Sequence, residues 1–251
     1  MTSKELGPYL LLRKLSEDAL CETYRAGQHT GQDVEHLVLL YLFARDPANA
    51  LWIAETAQAG RRALAGLESP CLAPAIDSGE EAGVAYLTYD YIPGRSLASV
   101  LERARRQKQS LQLEHALLIA DRVAQGLMAA WEHESRMLHG FVVPHLVMLS
   151  NEGDVRLLGI EVASRLRKLL ADPEVREEMG AYLAPEVVPE GQPATTDDVY
   201  SLGALLYEMV TGESLPMAPL EDPEGLIDQA TAGDGASLPE AVVALLRGSL
   251  G

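Results

Sequence analysis

Cations are scarce in this chain. Against 37 aspartates and glutamates stand only 20 lysines and arginines, a formal net charge of −17 over 251 residues. Binding to nucleic acid draws its affinity from lysine and arginine neutralising phosphates, so no nucleic-acid partner is expected. Cysteine is scarcer still. Cys21 and Cys71 each sit among apolar or small residues and read as reduced, packed thiols, not as a disulfide framework. Long apolar runs are absent too: His36 to Phe43 and Phe141 to Leu149 fall well short of the roughly 20 residues a membrane-spanning helix needs. Met1 to Pro8 lacks the charged-then-apolar order of a signal peptide. No repeat of fixed period and no low-complexity tract appears. These absences leave a globular, cytoplasmic protein without membrane insertion, long enough for one large domain or two packed lobes.

What is present changes character once along the chain. Tyr9 to Lys14, Thr23 to Gln28 and Leu37 to Phe43 read as strands, with a hairpin connection across Gly27 to Asp33. Pro47 to Leu67 has helical spacing. Leu72 to Ile76 and Val84 to Tyr91 follow as strand candidates around a turn at Ser78 to Gly83. After Pro93-Gly94 the chain becomes mostly helical. Ser96 to Gln107 is one helix; Leu113 to Glu134 is another, capped by Ser110 and striped by Leu117, Ala120, Val123, Leu127 and Trp131. Short strands at Val147 to Leu149 and Val155 to Leu158 flank a turn at Asn151 to Asp154. A helix capped by Thr195 or Thr196 runs to Thr211 and ends at Gly212. The expected fold class is α+β and bilobal: a small antiparallel β-rich lobe over residues 1–92 and a larger helical lobe over 93–251.

The most informative stretch is His139-Gly140-Phe141-Val142-Val143-Pro144-His145-Leu146, followed later by Ala184-Pro185-Glu186 and by Asp198-Val199-Tyr200-Ser201-Leu202-Gly203. This pattern resembles the catalytic loop, the Ala-Pro-Glu motif and the following helix of the eukaryotic-like Ser/Thr protein kinases found in bacteria. The order of a sheet lobe, a hinge and a helical lobe extends the resemblance over nearly the whole chain.

Residue by residue, the resemblance implies a degenerate member, a pseudokinase. The Gly-rich loop that lets backbone approach phosphates is Leu15 to Thr23, with no glycine and the carboxylates Glu17, Asp18 and Glu22. The phosphate-binding lysine falls at Leu40 and its glutamate partner at Gly60; Glu55 reads as a surface residue. Phe141 replaces the catalytic aspartate and has no way to accept a proton. Val143 replaces the lysine, Leu146 the metal-binding asparagine, and Gly159, of Gly159-Ile160-Glu161, the metal-binding aspartate. Glu161 is expected to point away from a metal site, and His145 to lie on the surface. Tyr89 takes the gatekeeper position, and Thr23, Val38 and Met148 fall where adenine is normally sandwiched. Charge-assisted hydrogen bonds contribute roughly 1.5–3 kcal/mol each, and at least three are missing. Micromolar to millimolar nucleotide affinity amounts to only about 4–8 kcal/mol. No cofactor is therefore expected, neither ATP nor magnesium.

The skeleton implied by the resemblance is kept. Leu64, Ala75, His139 and Ile160 fall on the regulatory spine, and Asp198 anchors it by accepting N–H bonds from the loop at His139. Glu186 lacks the late arginine that usually pairs with it, so either another partner exists or a final helix is missing beyond Gly251, where any further domains would also lie. Between Glu161 and Leu183 the only hydroxyl before Tyr182 is Ser164, while Asp172-Pro173 opens a helix with acids in its first turn; a permanently folded segment is expected. Met179 stands where active relatives carry a threonine. A basic run, Arg103, Arg105, Arg106 and Lys108, is the candidate protein-partner surface, weighed against a solvated helix face; Glu221 to Glu224 reads as an acidic loop. The expected function is a protein-interaction or allosteric signalling module without catalysis. Two rivals are a sensor holding a non-nucleotide small molecule in the vestigial cleft, and an enzyme rerouted through Glu161, Glu152 or Asp154.

Overall fold

The computed structural model describes residues 4–30, 33–43, 47–217, 220, 222–233 and 235–250. Six strands form an antiparallel sheet in the order β1-β2-β3-β4-β6-β5: β1 (Lys4–Leu6), β2 (Tyr9–Glu17), β3 (Cys21–Thr30), β4 (Asp33–Phe43), β5 (Asp77–Glu81) and β6 (Val84–Asp90). One helix, α1 (Pro47–Ala63), lies against it. The face toward α1 carries Leu39, Tyr41, Phe43, Leu87 and Tyr89, which share a core with Ile53, Ala57 and Leu64. The opposite face packs Val38, Leu40 and Leu42 on Tyr9, Leu11 and Ala26. Both faces are apolar here, so β4 is a continuous apolar run from Leu37 to Phe43, as strands buried on two sides are.

The second half is helical around a small three-stranded sheet, β7 (Gly94–Ser96), β8 (Val147–Ser150) and β9 (Val155–Leu157). Helices α2 (Leu97–Arg106), α3 (Leu113–Glu132), α4 (Ala163–Leu166), α5 (Pro173–Met179), α6 (Thr195–Thr211), α7 (Pro223–Gln229) and α8 (Glu240–Leu250) complete it. The bilobal α+β architecture expected from the sequence is therefore present. Helix α6 is buried on nearly every side, through Tyr200, Leu205, Met209 and Val210 among others, and ends at Gly212 with φ +81°. Each such side chain contributes roughly 1.5–3 kcal/mol by leaving water, which makes α6 the axis of this lobe.

Several boundaries differ from expectation. Leu72 to Ile76 is not a strand; Leu72 forms an isolated parallel bridge to Leu157, while the polar stretch Asp77–Glu81 is the edge strand β5. Its hairpin turns on Ala82 and Gly83, both at positive φ (52° and 81°), the backbone a two-residue connection between twisted strands requires. Gly27 lies inside β3, paired with Leu10 and Leu37, and the hairpin tip at residues 31–32 falls outside the described residues. Ser110 does not cap α3, which starts after Gln112 with no side-chain cap; the Ser110 hydroxyl instead accepts the Gly233 N–H at 3.1 Å. Thr195 is already helical, and the α6 start is closed by Asp197, whose carboxylate accepts the Ala194 N–H at 3.0 Å. Of the acidic loop, Glu221 lies outside the described residues, while Asp222 caps α7 and Pro223 and Glu224 belong to that helix.

Candidate functional site

The loop from His139 to Leu146 sits at the centre of the molecule. His139 is fully buried. Its Nδ1 accepts the Phe141 N–H at 3.3 Å, so Nε2 carries the proton and donates to the Leu158 carbonyl at 2.9 Å. Burial lowers its pKa to about 4, which keeps the ring neutral. Asp198, from α6, accepts the N–H groups of His139 (3.1 Å) and Gly140 (2.6 Å). Burial raises the Asp198 pKa to about 6 against the pull of those two bonds. Leu64, Ala75 and Ile160 are buried in the same core.

Beyond Gly140 the loop is apolar except for His145. Phe141, Val143 and Leu146 have no solvent exposure at all. The Leu146 carbonyl accepts the Leu158 N–H at 2.8 Å, which brings the loop against the chain leaving β9. A Cβ built on Gly159 would stand 3.1 Å from a Leu146 methyl. Leucine packs on glycine where the resemblance implies a pair of metal ligands.

The turn between β2 and β3 is closed by carboxylates. Asp18 Oδ1 accepts the N–H groups of Leu20 and Cys21, both at 2.9 Å. The Ala19 N–H goes to Glu178 Oε2 of α5, also at 2.9 Å. His145 is not on the surface as expected: its ring is 14 % exposed and its Nε2 stands 3.2 Å from Glu178 Oε1. That contact lowers the Glu178 pKa, while burial raises that of Asp18. A three-point polar latch thus joins the β2–β3 turn, the central loop and α5.

On β4 the face matters. Leu40 points to the far side of the sheet, among Tyr9, Leu11 and Ala26, and cannot reach the interlobe space. Val38 lies on that same far face, whereas Thr23 and Met148 are buried. The side chain of β4 that does approach the central loop is Tyr41, whose hydroxyl donates to the His145 carbonyl at 3.4 Å. The correction follows from alternation: one step along a strand changes the face.

Gly60 turns out to be a contact point. A Cβ there would collide with the carbonyl oxygen of Glu161 and stand 2.7 Å from its Cα, so α1 rests directly on this backbone. Glu55 is exposed. Glu161 itself points into the core, 1 % exposed, and Oε1 accepts the Tyr89 hydroxyl at 2.9 Å. Burial raises its pKa to about 7. Glu152 lies exposed in the β8–β9 turn with Asp154, remote from Glu161 in burial and setting. Among the described residues no three His, Cys, Asp or Glu side chains gather as a metal site would require.

From Ala163 to Tyr182 the chain is a run of short helical pieces, with Asp172 capping α5 through the Glu174 N–H at 2.9 Å. Two buried polar knots here escaped sequence reasoning. Arg167, 2 % exposed, pairs with Asp197 at 2.7 Å and lies over Gly140, where any side chain would strike it or Pro193. Tyr182 donates to buried Glu208 Oε2 at 2.5 Å, and Arg105 pairs with the other oxygen. Arg105 thereby has a buried structural partner, while its own side chain stays 55 % exposed. Arg106 pairs with Glu102 along α2, leaving Arg103 and Lys108 exposed with no ion pair among the described residues. Glu186 is exposed and likewise has none there. Cys21 and Cys71 are free and buried. No described helix is long and apolar enough to cross a membrane.

A model of the protein kinase domain matches residues 45–231, most of the chain. The chain belongs to the protein kinase domain family. It is 30% identical over 217 residues to serine/threonine-protein kinase PknA of Mycobacterium tuberculosis, covering 82% of this chain and 47% of that protein. A probable serine/threonine-protein kinase of Clostridium perfringens is 27% identical over 215 residues, covering 84% of this chain and 30% of that one. The kinase domain thus spans less than half the length of these curated relatives. The crystal structure of the Mycobacterium tuberculosis PknI kinase domain superposes with a TM-score of 0.67 at 21% identity, over 99% of both chains; its C20A_R136A double mutant gives 0.68. These structures share the fold.

A kinase domain of ordinary chemistry holds a magnesium nucleotide, and the residues of this one do not fit that group. The loop amides that would cradle phosphate already donate to Asp18 and Glu178. The two positions that the resemblance assigns to metal ligands hold a leucine packed on a glycine, and the one it assigns to the general base holds a fully buried phenylalanine.

Proposed function

We propose that this kinase domain transfers no phosphate and works as a protein-interaction and allosteric module in bacterial signalling. It lacks the nucleotide-binding lysine, the catalytic aspartate, and the metal-binding asparagine and aspartate. The observation that carries the reading is the packing of Leu146 on Gly159, together with the full burial of Phe141. Phosphoryl transfer is mostly positioning and charge stabilisation, and nothing ionisable remains at those three positions to supply either. A kinase fold retains packed elements with alternative arrangements, so partner binding can be relayed without chemistry.

The test uses the purified chain. Millimolar Mg-ATP is expected to leave the melting temperature unchanged, since a ligand at a hundred times its Kd would stabilise by about 2.7 kcal/mol. No radiolabel from the γ-phosphate is expected on this chain or on a general acceptor protein; transfer dependent on a divalent cation overturns the reading. For the partner surface, proteins captured by the wild type are compared with those captured by the triple variant Arg103→Glu, Arg106→Glu, Lys108→Glu. Selective loss of capture by the variant locates an acidic partner on α2. Arg105 is left intact because Glu208 needs it.

A further inference from the structure

Glu161 is a buried carboxylate that forms no ion pair among the described residues. Its Oε1 takes the Tyr89 hydroxyl, while Oε2 is buried with no hydrogen-bond partner. Buried polar groups left in this state are rare enough to call for a reason. The backbone of the same residue is the surface on which Gly60 seats α1. Its neighbour Ile160 is buried in the core that also holds Leu64, at the end of α1.

We infer that Glu161 is a proton-operated catch for α1: protonated, it lets the helix seat on the chain after β9, and ionised, it loosens that seat. The inference concerns how the domain moves, and it stands whether or not the domain is catalytically silent.

The surrounding groups fix the direction. From β6, Tyr89 donates to Oε1 and favours the anion. From α1, Arg61 also favours it, but only at range, because its guanidinium donates to the Ala75 and Ile76 carbonyls and pairs with Asp77 of β5 at 3.5 Å. The residue's own backbone aids the anion more than Tyr89 does, and the Ala75 backbone aids it less than Tyr89 but more than Arg61. Tyr41 of β4 and Cys21 of β3 stand behind Tyr89 and bring no positive charge. Burial outweighs all of these, and the Glu161 pKa rises from 4.5 to about 7. The seated state therefore holds a proton that an unseated, hydrated Glu161 would release. Its advantage is complete below about pH 4.5, declines as pH rises, and is gone above about pH 7.

The test is backbone hydrogen exchange across α1, corrected for intrinsic rates, between pH 5 and 8, with the wild type and Glu161→Gln. Wild-type protection of α1 is expected to fall by up to roughly tenfold per pH unit until about pH 7 and then level off; Glu161→Gln is expected to stay protected throughout. A flat wild-type profile, or one that Glu161→Gln leaves in place, overturns the inference. Should the glutamine variant fail to fold, carboxyl NMR of Glu161 in the wild type decides. A titration near neutrality sustains the catch, one in the ordinary carboxylate range removes it, and neither result bears on the absence of phosphate transfer.

Discussion

The two ends of one loop have met opposite fates. At His139 and Gly140 the polar contacts are intact: an imidazole bonded on both nitrogens and an aspartate collecting two N–H groups. From Phe141 to Leu146 every position that would face a ligand is apolar or packed away. Both ends are equally buried, so burial is not what separates them. The first set satisfies backbone groups that would otherwise be stranded inside the protein, a debt present with or without a substrate. The second would have satisfied only a ligand. In this loop, polar groups stand where the fold itself needs them.

The sharpest attack on that comparison is Arg167→Ala. It leaves Asp197 charged and buried at 4 % exposure, and about 3–5 kcal/mol of stability is expected to vanish in chemical denaturation. A loss under 1 kcal/mol would mean that this knot is ornamental. Next comes Asp198→Ala, which strands the His139 and Gly140 N–H groups at about 1–3 kcal/mol each. The smallest contrast lies on α2. Arg105→Ala is expected to cost clearly more than Arg103→Ala, whose effect should stay within about 0.5 kcal/mol, as for a surface residue. Equal melting temperatures for that pair would return Arg105 to the free surface.

Much of the frame was legible in the sequence, and the misreadings have physical causes. Helix α5 announced itself through Asp172-Pro173, and α6 through Gly212, because caps and terminators are local chemistry. Strand β5 was hidden because an edge strand tolerates polar residues and Ser-Gly-Glu-Glu imitates a turn. Leu40 was placed one residue from Tyr41 because β4 is apolar on both faces, so alternation vanishes from its composition and only its pairing with β6 reveals the face. The latch from Ala19 and His145 to Glu178 spans more than 150 residues of sequence in one of its bonds, and no local signal announces such a meeting. Arg167 left no trace either: it stands between Arg165 and Lys168, and nothing in that basic stretch singles it out as buried.

The contact between Leu146 and Gly159 also couples the two positions. Asparagine introduced at 146 would strand an amide in an apolar core, and aspartate introduced at 159 would run into the leucine's methyl. Neither step recovers a metal ligand pair, and each weakens the fold on its own. A chain selected for stability alone would therefore keep the leucine and the glycine together.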